Sequence, residues 1–326
     1  NSATVSGDAQ IGWGVFGGFV WGDSDAIGNS ATVSGNAQVE GNVVGGEAGY
    51  TGNATGNSVT VSDNAQVDSI YGGYAYDGNA TGNTATVSGN AQVTMDVYGG
   101  YVDGNGNATG NTVTLATGAG ANLAGATVYG GYSGVAGADV RTGNTLNVDT
   151  GHVEVKNIAN FQTVNLNVNA NTAPTAGQAL LSLNDTAGTD LSGTQVNMRG
   201  AIAGGGQAQP VATTVTLIEN ANGLTTDATT LSGTATIKQG ISLNHRFTLQ
   251  NNTTGTGIDA ILNSTTVDPA TGVFTNGRLA TVGFLNEGTD FALDTGMTKA
   301  METIRAQGYG AYGAIRGSDI RHDLDK

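Results

Sequence analysis

The first 150 or so residues repeat with a period of about 27, and no other feature constrains the fold as strongly. Three copies are nearly identical: NSATVSGNAQV (29–39), NSVTVSDNAQV (57–67) and NTATVSGNAQV (83–93). The asparagine that opens each copy recurs at Asn1, Asn29, Asn57, Asn83, Asn111 and Asn144. A Gly-Gly pair recurs at Gly17-Gly18, Gly45-Gly46, Gly72-Gly73, Gly99-Gly100 and Gly130-Gly131. A unit this short cannot bury an apolar face alone, so consecutive copies must stack on one another.

Polar and apolar residues alternate within each copy, as they do in a half-buried β-strand. In one copy, Thr84 and Thr86 lie on one side of the strand while Ala85 and Val87 lie on the other. Each unit is expected to hold three short strands, the third around 97–98 and ending at the Gly-Gly pair. Glycine and asparagine between strands tolerate the positive φ of sharp corners.

The size of the unit selects the architecture. A propeller blade needs about 40 residues, whereas one coil of a solenoid fits the observed period. The sequence therefore predicts an all-β protein, a right-handed parallel β-helix (β-solenoid) with a short C-terminal helix and strand. Valine and alanine, such as Val87, Ala91 and Val93, should point inward. Equivalent asparagines and threonines should form ladders that hydrogen-bond along the axis.

Composition excludes several classes of protein. Glycine fills 54 of 326 positions without falling at every third one, which excludes collagen. Charged residues make up only 11%, too few for a typical disordered chain. The net charge is −15, and Arg141 is the only Lys or Arg before Lys156, so nucleic acid is not an expected partner. There is no cysteine, and no apolar run has the length of a membrane helix.

The pattern changes twice along the chain, which predicts three regions. Residues 1–149 carry the repeat, residues 150–263 hold longer and less regular strands, and residues 264–326 form a tail. In the middle region, strands are predicted at 161–168, 179–184, 194–200, 214–219, 240–250 and 257–263. The tail carries one helical stripe, formed by Leu279, Val282, Leu285, Leu293, Met297, Met301 and Ile304. A strand is predicted after it, at 311–319.

Three stretches together resemble a known family. The Tyr-Gly-Gly-Tyr segments with GNATGNT in the repeats are the first, and NFQTVNLNV through GISLNHRFTL (160–249) is the second. The third comprises NGRLATVGFLNEGTDFALDTGM (276–297) and YGAYGAIRGSD (309–319). In this order they resemble the monomeric (classical, type V secretion) autotransporters of bacteria.

The resemblance implies a role for each region. Residues 1–149 would be a solenoid passenger, and 150–263 a C-terminal cap similar to an autochaperone segment. Residues 264–326 would be a linker, a helix in the lumen of an outer-membrane β-barrel and the first strand of that barrel. The implied location is the bacterial cell surface or outer membrane, with possible release outside the cell. Self-cleaving members use a paired asparagine in the lumenal helix, whereas Asn276 and Asn286 stand alone.

Several short motifs suggest chemistry, and each has a simpler interpretation. WGDSDAIG (21–28) contains a Gly-Asp-Ser block like that of an esterase, and Asp319 and His322 follow with an Asp-x-x-His spacing. However, this segment aligns with the repeat words TGNATG and DGNATG. GGYVDGNGN (99–107) is faintly similar to calcium turns but has too few aspartates. His152, His245 and His322 have no metal-ligand spacing. We therefore predict no catalytic, cofactor-binding or metal-binding residues, with weak calcium binding as the one alternative.

Aromatic residues flank the Gly-Gly element and form the candidate contact ridge. It comprises Trp13, Phe16, Phe19, Trp21, Tyr71, Tyr74, Tyr98, Tyr101, Tyr129 and Tyr132, with Tyr76 beside them. One interpretation is a structural stack along one corner, with rings packed over the glycines. The other is an exposed ridge that contacts a protein or a glycan, because tyrosine and tryptophan dominate binding hot spots.

Together these features predict a non-enzymatic, surface-exposed passenger that acts as an adhesin. Its expected partners are a protein or glycan of a host or bacterial surface and its own outer-membrane barrel. Two alternatives remain at this point: a structural stalk that presents another domain, and part of an enzyme whose active site lies upstream.

Overall fold

The chain forms a β-solenoid of about seven turns, followed by a short helix. The computed structural model describes residues 1–169, 178–202, 214–240, 243–271, 281–282, 285, 289, 293 and 296–305. Contacts divide the chain into two units, Asn1–Thr266 and Val267–Lys326. The first unit contains the solenoid, which confirms the predicted all-β class.

Twenty-nine strands are described, and most are short because each turn of the solenoid bends at several corners. They are β1 (Ser2–Val5), β2 (Gln10–Ile11), β3 (Val15–Phe16), β4 (Phe19–Val20), β5 (Ala26–Ile27), β6 (Ser30–Val33), β7 (Gln38–Val44), β8 (Glu47–Ala48), β9 (Ala54–Thr55), β10 (Ser58–Val61), β11 (Gln66–Ala75), β12 (Ala80–Thr81), β13 (Thr84–Gly89), β14 (Gln92–Val93), β15 (Val97–Val102), β16 (Ala108–Thr109), β17 (Thr112–Thr117), β18 (Leu123–Ser133), β19 (Thr145–Val148), β20 (Val153–Ala159), β21 (Thr163–Asn169), β22 (Leu181–Leu183), β23 (Thr189–Asp190), β24 (Gln195–Ile202), β25 (Thr214–Asn220), β26 (Leu224–Thr225), β27 (Ala235–Gln239), β28 (Leu243–Asn251) and β29 (Gly257–Val267).

Equivalent strands of successive coils pair in parallel and in register. One face of the solenoid follows the order β1-β6-β10-β13-β17-β19-β21-β24-β27. Sequence repeats therefore become spatial columns: Thr32 pairs with Thr60, which pairs with Thr86. The same register places apolar side chains inside, where Val87 and Ala91 are fully buried and Val93 is 2% exposed. The inward direction predicted for these three residues is confirmed.

The opening asparagines form a buried ladder along the axis. The Oδ1 of Asn83 accepts hydrogen bonds from the backbone N of Asn57 (2.9 Å) and from its Nδ2 (3.1 Å). The Nδ2 of Asn83 in turn donates to the carbonyl of Ala54 (2.9 Å) and to Asn111 Oδ1 (3.1 Å). Asn29 and Asn144 join the same ladder. The predicted asparagine ladder is confirmed, and it satisfies amide groups that would otherwise be costly to bury.

The first two Gly-Gly pairs follow the ends of β3 and β7, as predicted, whereas the last three lie inside β11, β15 and β18, contrary to the prediction. A Cβ on Gly72 would lie 2.4 Å from the carbonyl oxygen of Gly99. A Cβ on Gly73 would lie 2.4 Å from the side chain of Asn83. These positions are glycine because the next coil and the asparagine ladder occupy the space, and aromatic rings are not the nearest groups there.

The later coils are less regular but keep the same construction. All six strands predicted in the middle region occur, as β21, β22, β24, β25, β28 and β29. Parallel pairing continues to β27, and β28 and β29 then add antiparallel to β27 and β25. His245, buried on β28, contacts Thr265 Oγ1 (2.9 Å) and Gln239 Oε1 (3.0 Å). These antiparallel strands cover the C-terminal edge of two columns, which would otherwise present unpaired backbone groups.

The second unit contains helix α1 (Met297–Arg305). Met297, Met301 and Ile304 lie on it, so the last part of the predicted helical stripe is helical. The predicted strand at 311–319, Leu279, Asn276 and Asn286 lie outside the described residues. None of the helices in the described ranges has the length and hydropathy needed to span a membrane.

Candidate functional site

Eight of the ten residues of the candidate contact ridge occupy two neighbouring columns on either side of the Gly-Gly pairs, and Trp13 and Trp21 lie outside these columns. Strand register determines which residue follows which along each column. The first column runs Phe16, Val44, Tyr71, Tyr98 and Tyr129, and the second runs Phe19, Glu47, Tyr74, Tyr101 and Tyr132. The second coil thus contributes Val44 and Glu47 where its neighbours contribute rings, and this divides the ridge into two parts.

The C-terminal part is a closed stack that we call the tyrosine ladder, formed by Tyr71, Tyr74, Tyr98, Tyr101, Tyr129 and Tyr132. Within each column the rings stack face to face, with centroids 4.9 Å apart for Tyr98–Tyr129 and 5.0 Å apart for Tyr74–Tyr101. Across the columns the rings meet edge to face, as in Tyr98–Tyr101 at 5.0 Å. Tyr98 is only 8% exposed. Because most ring faces cover one another, the ladder presents mainly edges and hydroxyl groups.

Burial raises the pKa of five hydroxyl groups of the ladder, those of Tyr71, Tyr74, Tyr98, Tyr101 and Tyr129. Burial, followed by the negative charge of Asp103, raises the pKa of Tyr101 to about 12. Burial also raises the pKa of Tyr98, whose hydroxyl donates to Asp96 Oδ2 (3.1 Å). The same carboxylate accepts from the backbone N of Thr127 (3.0 Å), so Asp96 joins two coils. These five hydroxyls are therefore neutral at neutral pH and offer no phenolate nucleophile.

The N-terminal part is open to solvent. We call it the N-terminal aromatic cluster, formed by Phe16, Phe19, Trp21 and Tyr50. Phe19 stacks on Trp21 with centroids 5.8 Å apart, and Phe16 and Tyr50 meet these rings edge to face. Trp21 is 74% exposed and Phe19 51%. Trp13, 86% exposed, forms no ring contact with any described residue. Exposed aromatic surface of this kind is typical of contact sites.

Glu47 lies next to both parts and was missed by sequence reasoning. Its half-buried carboxylate sits in the second column between Phe19 and Tyr74. Burial raises the pKa of Glu47, and its charge helps to raise that of Tyr74. Among the described residues nothing forms an ion pair or a side-chain hydrogen bond with this carboxylate. Aligning GGEAG with GGYAY would have revealed a carboxylate in a tyrosine position.

The Gly-Asp-Ser segment is a corner of the solenoid, as its alignment with the repeat predicts. Asp23 Oδ1 accepts from Thr51 Oγ1 (3.0 Å), and Asp25 Oδ1 accepts from the backbone N of Asn53 (2.7 Å). Both carboxylates therefore join this coil to the next. Ser24 is exposed and has no hydrogen bond to a described histidine. Asp319 and His322 lie outside the described residues.

The residues that could ligate a metal ion, including the histidines, are scattered in the described part of the chain. No group of three or more His, Asp or Glu residues there is placed to hold a metal ion. In the GGYVDGNGN motif (99–107), the backbone N of Asn105 donates to Asp77 Oδ1 of the preceding coil (2.9 Å), so this carboxylate joins two coils. His152 lines an open groove of about 610 Å³, and its Nδ1 lies 2.7 Å from the carbonyl oxygen of Ala179.

Comparison with models of protein families, with curated proteins and with solved structures gives no match to this chain.

Proposed function

We propose that this chain is a non-enzymatic adhesin, the passenger of a bacterial autotransporter, and that it contacts its partner through the N-terminal aromatic cluster. The exposure of Trp21 and Phe19, two stacked rings on a solenoid whose valine and leucine core is buried, carries the proposal. Keeping large rings in water is unfavourable unless a partner covers them, because burying such a side chain contributes about 1.5–3 kcal/mol.

The cluster is well placed to bind because the coils beneath it are rigidly joined. Phe16 and Phe19 belong to short strands paired in parallel with the second coil. The asparagine ladder begins on that coil and continues through four more asparagines. Rings held on such a scaffold lose little conformational entropy on binding, which favours affinity.

Electrostatics and chemistry narrow the function further. A net charge of −15, with no Lys or Arg before Arg141, disfavours nucleic acid and polyanionic glycans. The raised pKa of ladder hydroxyls such as those of Tyr98 and Tyr101 disfavours a phenolate nucleophile, and the described histidines contact carbonyl, amide or threonine groups. These observations favour a binding role without a cofactor. The resemblance noted in the sequence supports a cell-surface location and an outer-membrane barrel as a further partner.

A structural stalk is the second candidate, and the tyrosine ladder favours it. Its six rings stack on one another, so they stabilise the contact between successive coils without exposing open ring faces. A stalk needs such a stack and no exposed cluster. The two candidates thus differ in the purpose of the N-terminal aromatic cluster.

Binding of the purified chain to epithelial cells, to bacteria and to a glycan array tests the proposal. The variant carries Phe16→Ser, Phe19→Ser and Trp21→Ser together, and the matched control carries Tyr76→Ser, an exposed ring at the edge of the ladder. The adhesin proposal predicts binding that the triple variant loses and the control keeps. Absence of binding by the wild-type chain to all three targets would favour the stalk.

A further inference from the structure

We propose that Glu47, together with Phe19, Trp21 and Tyr74, forms a site for a cationic side chain, so that the partner presents a lysine- or arginine-rich protein segment. This inference rests on the proposed adhesive function and specifies its partner chemistry.

The first observation is an unsatisfied carboxylate. Glu47 is half-buried between two rings, and no donor among the described residues reaches its side-chain oxygens. A partly buried carboxylate without a partner is unfavourable, and a charge-assisted hydrogen bond from a ligand removes that cost. Three other carboxylates of these coils are already engaged, because Asp8, Asp23 and Asp25 accept from Asn36, Thr51 and Asn53. Glu40 has no described donor either, but it is exposed to water, so Glu47 is distinguished as the half-buried carboxylate with a vacant acceptor.

The second observation is the aromatic surroundings of that carboxylate. Phe19 precedes Glu47 in the column and Tyr74 follows it. Trp21 stacks on Phe19 at 5.8 Å and remains 74% exposed. A cation over an indole or phenyl face is attracted by the ring quadrupole, and tryptophan is the strongest such partner. A guanidinium group also stacks on rings and bonds a carboxylate through two donors, which suits this combination.

The third observation is the charge of the surface. Residues 1–56 contain five acidic residues and no Lys or Arg: Asp8, Asp23, Asp25, Glu40 and Glu47. Arg141, the first basic residue, donates to the carbonyl oxygens of Phe161 (3.1 Å) and Ser192 (2.8 Å), so it is engaged in the later coils. An acidic surface increases the association rate of a basic segment and repels anionic ligands. A neutral glycan would stack on the rings but would gain nothing from this charge.

The chain has only two tryptophans, which makes the site directly observable. In a Trp13→Phe background, Trp21 is the sole reporter of indole fluorescence. Titration with a short oligoarginine peptide at low salt should change the Trp21 emission saturably, and oligoglutamate should not. Oligolysine should bind more weakly than oligoarginine, because ammonium lacks the planar stacking surface.

Matched carboxylate variants give the decisive comparison. Glu47→Gln should weaken oligoarginine binding about tenfold, as expected for loss of a partly desolvated ion pair. Glu40→Gln removes one exposed charge from the same coil and should change affinity by less than about twofold, because exposed pairs contribute little. Both variants should have the same melting temperature as the wild-type chain. Equal affinity of wild type and Glu47→Gln, or equal weakening by the two variants, would overturn the proposal.

Cell binding separates this inference from the adhesin proposal itself. If Glu47→Gln adheres to cells as well as wild type, or binds a neutral glycan unchanged, the cation site is wrong and adhesion stands. If oligoarginine binds through Glu47 but the chain adheres to no surface, the site stands and the adhesive function fails.

Discussion

The tyrosine ladder lies in the same two columns of the solenoid as Phe16 and Phe19 of the N-terminal aromatic cluster, but the two regions differ in what the next coil provides. In the ladder, three consecutive coils place tyrosine at equivalent positions, so each ring is covered by another about 5 Å away. In the cluster, the next coil offers Val44 and Glu47, and the rings of Phe16 and Phe19 stay exposed. An aromatic repeat therefore stabilises the solenoid where it continues from coil to coil, and it leaves rings exposed for contact where it is interrupted.

The largest expected effect separates the two regions by stability. Tyr98→Ala removes a ring that is 8% exposed and stacked on both sides, so it should lower the free energy of unfolding by about 3–5 kcal/mol. Trp21→Ala removes a ring that is 74% exposed and should change stability by less than about 1 kcal/mol. Urea unfolding followed by circular dichroism measures both. Similar losses in the two variants would remove the distinction between ladder and cluster.

The next effect tests what holds the ladder coils together. Asn83→Ala leaves the backbone N and Nδ2 of Asn57 without their acceptor in a buried position, which should cost about 2–3 kcal/mol. The control is Asn64→Ala, because Asn64 forms exposed ladder contacts with Asn36 and Asn90. It should cost less than about 1 kcal/mol. Thermal melting distinguishes the two, and equal costs would mean that burial of the amide is unimportant.

Glu47→Tyr should convert the interrupted columns toward a continuous ladder. A tyrosine there would meet Phe19 on one side and Tyr74 on the other, and each aromatic pair adds about 0.5–1.5 kcal/mol. Stability should rise while binding of oligoarginine is lost, since the carboxylate is gone. Glu40→Tyr, on the same coil but outside the column, serves as control. It should neither increase the stability of the chain nor abolish its binding of oligoarginine. A Glu47→Tyr variant that is less stable than wild type would argue against the ladder as a general device.

The smallest expected effect is an alkaline loss of stability that comes from the ladder. Burial raises the pKa of Tyr101 from 10.0 to about 12, so the unfolded chain loses this proton first. The stabilisation is therefore full below pH 10 and declines as pH rises from 10 toward 12. Tyr101→Phe should make the decline shallower, whereas Trp21→Phe in the cluster should leave it unchanged. Denaturant midpoints measured across this range check the difference.

The solenoid could be predicted from the sequence because residues at equivalent positions of successive repeats pair with one another in the structure. Thr32, Thr60 and Thr86 align in space as they do in the repeat, and the inward valines follow from the same alternation. The strand end predicted at the Gly-Gly pair was wrong for β11, β15 and β18. Glycine is required at Gly72 and Gly73 by Gly99 and Asn83 of the next coil, contacts that the sequence of one coil does not reveal. The site was predicted as one ridge of ten aromatics. Its division depends on Val44 and Glu47, which are not aromatic and so did not enter the prediction.

The most direct test of the central claim is the fraction of chain bound to target cells for two single variants at equal folded concentration. Trp21→Ala changes the N-terminal aromatic cluster, and Tyr101→Phe removes a hydroxyl from the tyrosine ladder while keeping its ring stack. We expect Trp21→Ala to lose most of its binding and Tyr101→Phe to bind like wild type. Loss of binding in Tyr101→Phe with full binding in Trp21→Ala would contradict the central claim.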